Sequence, residues 1–164
     1  MKKILGAALL ACALPVQAFD GVSAELGAGQ DGVWMWRVGA QWDQRVQKLE
    51  QTNWHIHWDF ALGQWKSDAG TMHDLSITPV LRWAPGDRGA YLEGAIGLHL
   101  LSDSHISSDT DFSTRFQFGD HLGAGYRWQH YDLSLYAQHI SNGGMRNPNP
   151  GMNFVALRLI RWFD

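Results

Sequence analysis

Apolar and polar residues alternate with a period of two along most of this chain. Trp34, Trp36, Val38, Ala40 and Trp42 are apolar, with Arg37 and Gln41 between them. Trp54, Ile56, Trp58, Phe60 and Leu62 repeat the pattern against His55, His57 and Asp59. Leu75, Ile77, Leu81 and Trp83 alternate with Ser76, Thr78 and Arg82, and Leu92, Ile96, Leu98 and Leu100 with Tyr91, Glu93 and His99. Phe116, Phe118, Leu122, Ala124, Tyr126 and Trp128 interleave with Arg115, Gln117, His121 and Arg127. Side chains two apart on a strand share a face, so each run predicts a strand with one apolar side. Segments 22–29, 131–141 and 153–163 bring the total to eight strands, with Gly-, Asp- and Pro-rich turns at 30–32, 84–89 and 142–151. At roughly 8 to 15 residues these strands exceed the usual soluble length and suit a bilayer, which a tilted strand crosses in about 9–11 residues.

Two closed architectures accommodate eight antiparallel strands. A soluble lipocalin-like barrel keeps apolar residues inside, whereas an outer-membrane barrel reverses this, with an apolar exterior and a polar lumen. The polar face here carries Glu25, Arg37, Gln41, His57, Asp59, Arg82, Glu93, Gln117, Arg127 and Gln138. Trp34, Trp42, Trp54, Trp83, Trp128 and Trp162 fall near strand ends, as interfacial aromatic belts require. The reading is therefore all-β: an eight-stranded antiparallel up-and-down outer-membrane β-barrel.

The chain's ends and composition support export. Lys2 and Lys3 precede the apolar run Ile4–Leu14, and Val16-Gln17-Ala18 offers small residues for cleavage. Residues 1–18 are thus expected to be a secretory signal peptide, leaving one barrel domain over 19–164. The single cysteine, Cys12, lies in the leader, so no disulfide is expected in the mature chain. Losing Lys2 and Lys3 takes the basic residues from 13 to 11 against 16 acidic ones, for a net charge of about −5. That balance argues against nucleic acid as a partner, since such binders carry a basic patch. Nine Trp and 18 Gly in 164 residues fit closely approaching strands and interfacial aromatics.

One strand breaks its own pattern. In 131–141 the row Leu133, Leu135, Ala137 continues into His139 and Ser141, a proton acceptor and a hydroxyl on the apolar face. With both termini periplasmic, this seventh strand runs outward. The pair then sits in the outer end of the lipid face, at the level of lipopolysaccharide, and suggests an enzyme acting on that lipid. Asn153 shares the lipid-facing parity with Val155, Leu157 and Leu159. If Gln129-His130 is the turn, Asp120 lies opposite His139, so its carboxylate is a further candidate. His55 and His57 have a spacing compatible with metal, but no third ligand accompanies them and no metal is expected. The stretch 102–111 reads as a surface loop.

The segment H-I-S-N-G-G-M-R-N-P-N-P-G-M-N at 139–153 resembles the active-site signature of the lipid A 3-O-deacylase (PagL) family, and F-Q-F-G-D-H-L-G-A-G-Y-R at 116–127 is similar to a barrel segment of that family. The resemblance implies an outer-membrane esterase that removes the 3-hydroxyacyl chain ester-linked at position 3 of lipid A, without a cofactor. By motif position it implies Ser141 as nucleophile and His139 as base, with Gly144 and Asn149 holding the oxyanion. The chemistry agrees: a serine hydroxyl is a weak nucleophile until a base takes its proton, and histidine titrates near working pH. One departure stands out. The family pattern has a glutamate on the last strand, where this chain has Asn153. An amide oxygen can orient an imidazole but supplies no charge to the imidazolium. A non-enzymatic outer-membrane barrel serving adhesion or envelope integrity, and a periplasmic lipocalin-like carrier, stay open as other readings.

Overall fold

The computed structural model describes residues 19–163 apart from 45, 47–48, 50, 69 and 108–109, so the expected signal peptide lies outside the described residues. The strands are β1 (Gly21–Gly29), β2 (Trp34–Gln44), β3 (Trp54–Ser67), β4 (Gly70–Trp83), β5 (Gly89–Leu101), β6 (His105–Ser107), β7 (Thr110–Asp111), β8 (Phe116–Arg127), β9 (Tyr131–Ser141) and β10 (Met152–Trp162). Eight of them close a barrel in the order β1-β10-β9-β8-β5-β4-β3-β2, every neighbour antiparallel. Closure joins β1 to β10, from Gly21 opposite Trp162 to Gly29 opposite Phe154. The start of β1 and the end of β10 therefore lie at one end of the barrel, opposite its distal end.

The alternation does what it predicts on the outer wall. Leu26, Ile96, Leu122, Leu135 and Val155 face outward, with Leu122 75% and Ile96 68% exposed. An apolar band that wide is tolerable only against lipid. Closing the sheet also pairs every strand, so no edge is left to hydrogen-bond in hydrocarbon.

Inside, the opposite row buries a network of charges. Arg37 Nε donates to Glu25 Oε2 at 2.8 Å, and Arg37 Nη2 to Tyr136 OH and Gln138 Oε1 at 2.7 and 2.9 Å. Arg82 bridges Asp132 at 2.5 Å and Glu93 at 3.1 Å. Arg158 pairs with Glu93 and lies 3.4 Å from Asp59. His57 is buried here and meets the Trp162 ring edge-on at 5.5 Å between centroids.

Three expectations need correction. Trp162 does not join an interfacial belt: it has the inward parity of Ile160, and its ring lies against the Arg127 guanidinium at 4.7 Å. The lumen is not polar throughout, because Met35, Trp65, Met72, Leu101, Phe112, Ile140, Met152 and Phe154 plug its distal part. Stretch 102–111 is not only loop, since it holds the β6–β7 hairpin, which sends Ile106 into that plug.

Candidate active site

Four polar side chains stand in one row across the outer wall near the distal rim. The β9–β8 register sets Asp120 opposite His139, and the β10–β9 register sets Asn153 opposite His139. Gly29 pairs with Phe154, so Gln30, the next residue of the chain, falls beside Asn153. The row Gln30, Asn153, His139, Asp120 therefore runs from the 3-10 turn Gln30–Gly32, just past the end of β1, across β10, β9 and β8 on the lipid-facing parity. At this level polar groups cost little, about 0–1 kcal/mol for a charge near the interface.

Hydrogen bonds connect three of the four. His139 Nδ1–H donates to Asn153 Oδ1 at 2.8 Å. Asn153 donates twice to Gln30 Oε1, from its backbone N at 3.1 Å and from Nδ2 at 3.2 Å. Among the described residues no side-chain hydrogen bond or ion pair links Asp120 to His139. Ser141 lies two residues beyond His139 on the same face, opposite Phe118, and among the described residues its hydroxyl makes no side-chain hydrogen bond. Such bonds are often long in unliganded enzymes and tighten on substrate.

A glycine makes room for the imidazole. At Gly151, φ is +66°, and a β-carbon there would sit 2.6 Å from His139 Cε1 and 3.0 Å from Nε2. Beneath the row runs an open groove of about 590 Å³, floored by Ala28, Leu122, Ala137 and Val155. It meets a second groove, of about 700 Å³, at Asp120 and Leu122; Pro79, Leu81, Leu92 and Ile96 line that one. The combined surface is apolar with a polar rim, the shape an acyl chain with an ester head would fill.

The rim loop 142–151 is organised by Asn142, a fully buried residue of the 139–153 motif to which the sequence assigned no role. Asn142 Nδ2 donates to Phe112 O at 3.0 Å and Arg146 O at 2.7 Å, and its Oδ1 accepts from Gly144 N at 2.9 Å. Asn149 Oδ1 accepts from Asn142 N at 3.0 Å, which turns the Asn149 Nδ2 donor away from that bond. The Gly144 N–H is thus engaged by Asn142, whereas that of Gly143 has no partner among the described residues. Ser113 Oγ ties the loop to the β6–β7 region by donating to Pro148 O at 2.7 Å. Two carboxylates brace that region and are held below their ordinary range: Asp103 by the N–H groups of His105 and Ser104, and Asp111 by that of Ser113.

The signal for Asn142 was its place between a strand end and a Gly-Gly turn, where asparagine favours local backbone hydrogen bonds. Gln30 carried no signal of its own.

The chain as a whole is similar to known proteins. Residues 34–160 match the family model described as lipid A 3-O-deacylase (PagL). The chain is similar to the lipid A deacylase PagL of Pseudomonas aeruginosa, 31% identical over 170 residues covering 96% of each chain. To the lipid A deacylase PagL of Bordetella bronchiseptica it is 30% identical over 130 residues, 76% of this chain and 67% of the relative. The crystal structure of the outer membrane enzyme PagL superposes with a TM-score of 0.77 at 26% identity, over 87% of this chain and 99% of that one. A de novo designed transmembrane β-barrel matches at a TM-score of 0.58 and 13% identity, over 90% and 98%, which is a likeness of fold alone.

Proposed function

Because the chain belongs to the lipid A 3-O-deacylase (PagL) family, we propose that it is an outer-membrane esterase that hydrolyses the ester-linked 3-hydroxyacyl chain at position 3 of lipid A. The observation that carries this reading is the imidazole–amide pair set on the lipid-facing wall above an apolar groove. A lipid reaches that wall by lateral diffusion. The lumen, filled by ion pairs and a plug, offers it no comparable path.

In this reading residues 1–18 direct export and are removed. The acyl chain lies in the groove, and its ester carbonyl stands over Ser141. As Ser141 Oγ attacks the carbonyl carbon, His139 Nε2 takes the hydroxyl proton. The carbonyl oxygen becomes an oxyanion, held by Asn149 Nδ2 and by backbone N–H groups of the Gly143-Gly144 turn. Gly143 offers its N–H directly, whereas Gly144 must first release Asn142. Each such donor is worth about 2.7–4 kcal/mol in comparable sites. Collapse breaks the C–O bond to lipid A, and His139 gives its proton to the departing alkoxide oxygen, which leaves as a hydroxyl. A water, deprotonated by His139 as it attacks, then cleaves the acyl-serine; His139 returns that proton to Ser141 Oγ, and the 3-hydroxy fatty acid leaves. Asn153 orients the imidazole, and the Asp120 carboxylate faces the imidazolium as it forms. No cofactor takes part.

Asn153, an amide where the family pattern has a carboxylate, is the one observation that favours a non-enzymatic barrel. Mass spectrometry of lipid A from cells expressing the protein decides between them. The expected spectrum lacks one hydroxyacyl chain, and Ser141→Ala or His139→Asn restores the full mass. Unmodified lipid A from cells with correctly folded, heat-modifiable protein overturns the enzymatic reading.

A further inference from the structure

We propose that Gln30 is a positioning residue: it fixes which end of the Asn153 amide faces His139 and so sets the histidine in the tautomer that can act as base. The inference rests on the Ser141/His139 reading for its consequence in catalysis, though not for its geometry.

An amide in the third position is ambivalent. Its oxygen accepts from Nδ1–H and leaves Nε2 a free lone pair toward the serine. Its NH2 instead forces Nδ1 to accept, moves the proton to Nε2, and leaves the serine facing a donor. In a serine protease, replacing the aspartate by asparagine costs about 10⁴ in turnover for that reason. Asn153 escapes this only if something holds its NH2 elsewhere.

Gln30 does so through a chain of assignments that starts from a group with no choice. The Asn153 backbone N–H is a donor only. It points at the Gln30 amide at 3.1 Å, so the Gln30 atom there is the acceptor, Oε1. The same oxygen lies 3.2 Å from one arm of the Asn153 side chain, which is therefore Nδ2. The other arm, Oδ1, is turned to His139 Nδ1 at 2.8 Å, and Nδ1 carries the proton. Each polarity forces the next, and the last leaves Nε2 unprotonated.

The backbone keeps Gln30 in place. Gly29 N donates to Val33 O at 2.7 Å and Val33 N to Gln30 O at 3.0 Å, closing a tight turn. Asp31 and Gly32 complete that turn at φ 57° and 70°. The pairing of Gly29 with Phe154 at barrel closure then aligns Gln30 with Asn153. Gln30 lies 123 residues from Asn153 in sequence, so only the closed barrel brings them together.

The test is a cycle of Gln30→Met and Asn153→Glu, with Gln30→Glu as the conservative control, on folded heat-modifiable protein. Two quantities are read: kcat on lipid A in mixed micelles, and the ring ¹⁵N shifts of His139, assigned by their loss in His139→Asn. Gln30→Met is expected to lower kcat by at least about tenfold, with KM little changed, and to move His139 toward the Nε2–H tautomer. Gln30→Glu keeps the acceptor and the Nδ1–H tautomer. With Asn153→Glu, a carboxylate accepts in either orientation, and Gln30→Met then costs less than about twofold. An equal loss in both backgrounds, or an unmoved tautomer in Gln30→Met, overturns the proposal. If the parent protein removes no acyl chain, the deacylase reading fails while the tautomer shift still decides the role of Gln30.

Discussion

Gly151 leaves room for hydrogen only beside the Cε1–Nε2 edge of the imidazole, since a β-carbon there would lie 2.6 Å from Cε1. Alanine there meets a left-handed φ and pushes the ring. A misplacement of about 1 Å costs on the order of 10² in rate, so Gly151→Ala should lower kcat by about that factor. Heat-modifiable migration should be unchanged; a fully active Gly151→Ala protein shows that the ring has another resting place. Asp120 acts differently. With no side-chain hydrogen bond to His139 among the described residues, its carboxylate can contribute only its charge, and exposed charges interact weakly. Asp120→Asn is therefore expected to slow kcat by about tenfold at low salt and less at high salt. An unaltered rate marks Asp120 as an ordinary interfacial carboxylate. At this scale the sequence revealed His139, Ser141, Asn153 and Asp120, because parity and a hairpin register bring them to one face. Gln30 was hidden because its partner lies across the barrel seam, a contact that no local pattern encodes.

The β6–β7 hairpin links the barrel to the site. Its few residues show no sustained alternation, and a register shift interrupts their pairing, which is why 102–111 read as loop. Yet Phe112 fills the plug with its ring and offers its carbonyl to Asn142, so the order of the plug reaches the loop beside Ser141. Asn142→Ala removes a side chain that satisfies Gly144 N, Phe112 O and Arg146 O at once. Unsatisfied buried groups cost about 1–3 kcal/mol each, enough to free the loop while the barrel stays closed. Hydrogen exchange should rise across 142–151 and not in β3 or β4, with deacylation reduced; unchanged exchange sinks this account of the loop. Asp111 sets the pH range of the brace. Its carboxyl is depressed by the Ser113 N–H, so its contribution is complete above the ordinary 3.8 and disappears as pH falls through the lower folded value. Loop exchange should accordingly be flat with pH, after correction for intrinsic rates, down to about 4 and increase only below it.

At the scale of the molecule, the lumen does two jobs in series: charges lock the wall around the middle, and apolar side chains seal the distal end. The alternation disclosed the first and concealed the second. Near the rim both faces of a strand are apolar, as in Trp34, Met35 and Trp36, and the period of two vanishes where the plug begins. Arg158 is the hub of the locked part. It pairs with Glu93, lies 3.4 and 3.7 Å from carboxylate oxygens of Asp59 and Glu25, and sits over Tyr136 with its guanidinium carbon 5.4 Å from the ring centre. Arg158→Met fills similar volume but strands carboxylates that water reaches poorly, and breaking such a buried pair costs about 3–5 kcal/mol. Urea unfolding of the refolded barrel in lipid, followed by tryptophan emission, should register that loss. Adding Glu93→Gln to Arg158→Met should return part of it, because the uncompensated charge is then gone. A loss below about 1 kcal/mol, with no coupling between the two sites, means that the lumen is wet enough to screen its charges. Such a barrel would owe its rigidity to the plug and the strand ladder instead, and the tyrosine and arginine packing around Arg158 would matter more than its ion pairs.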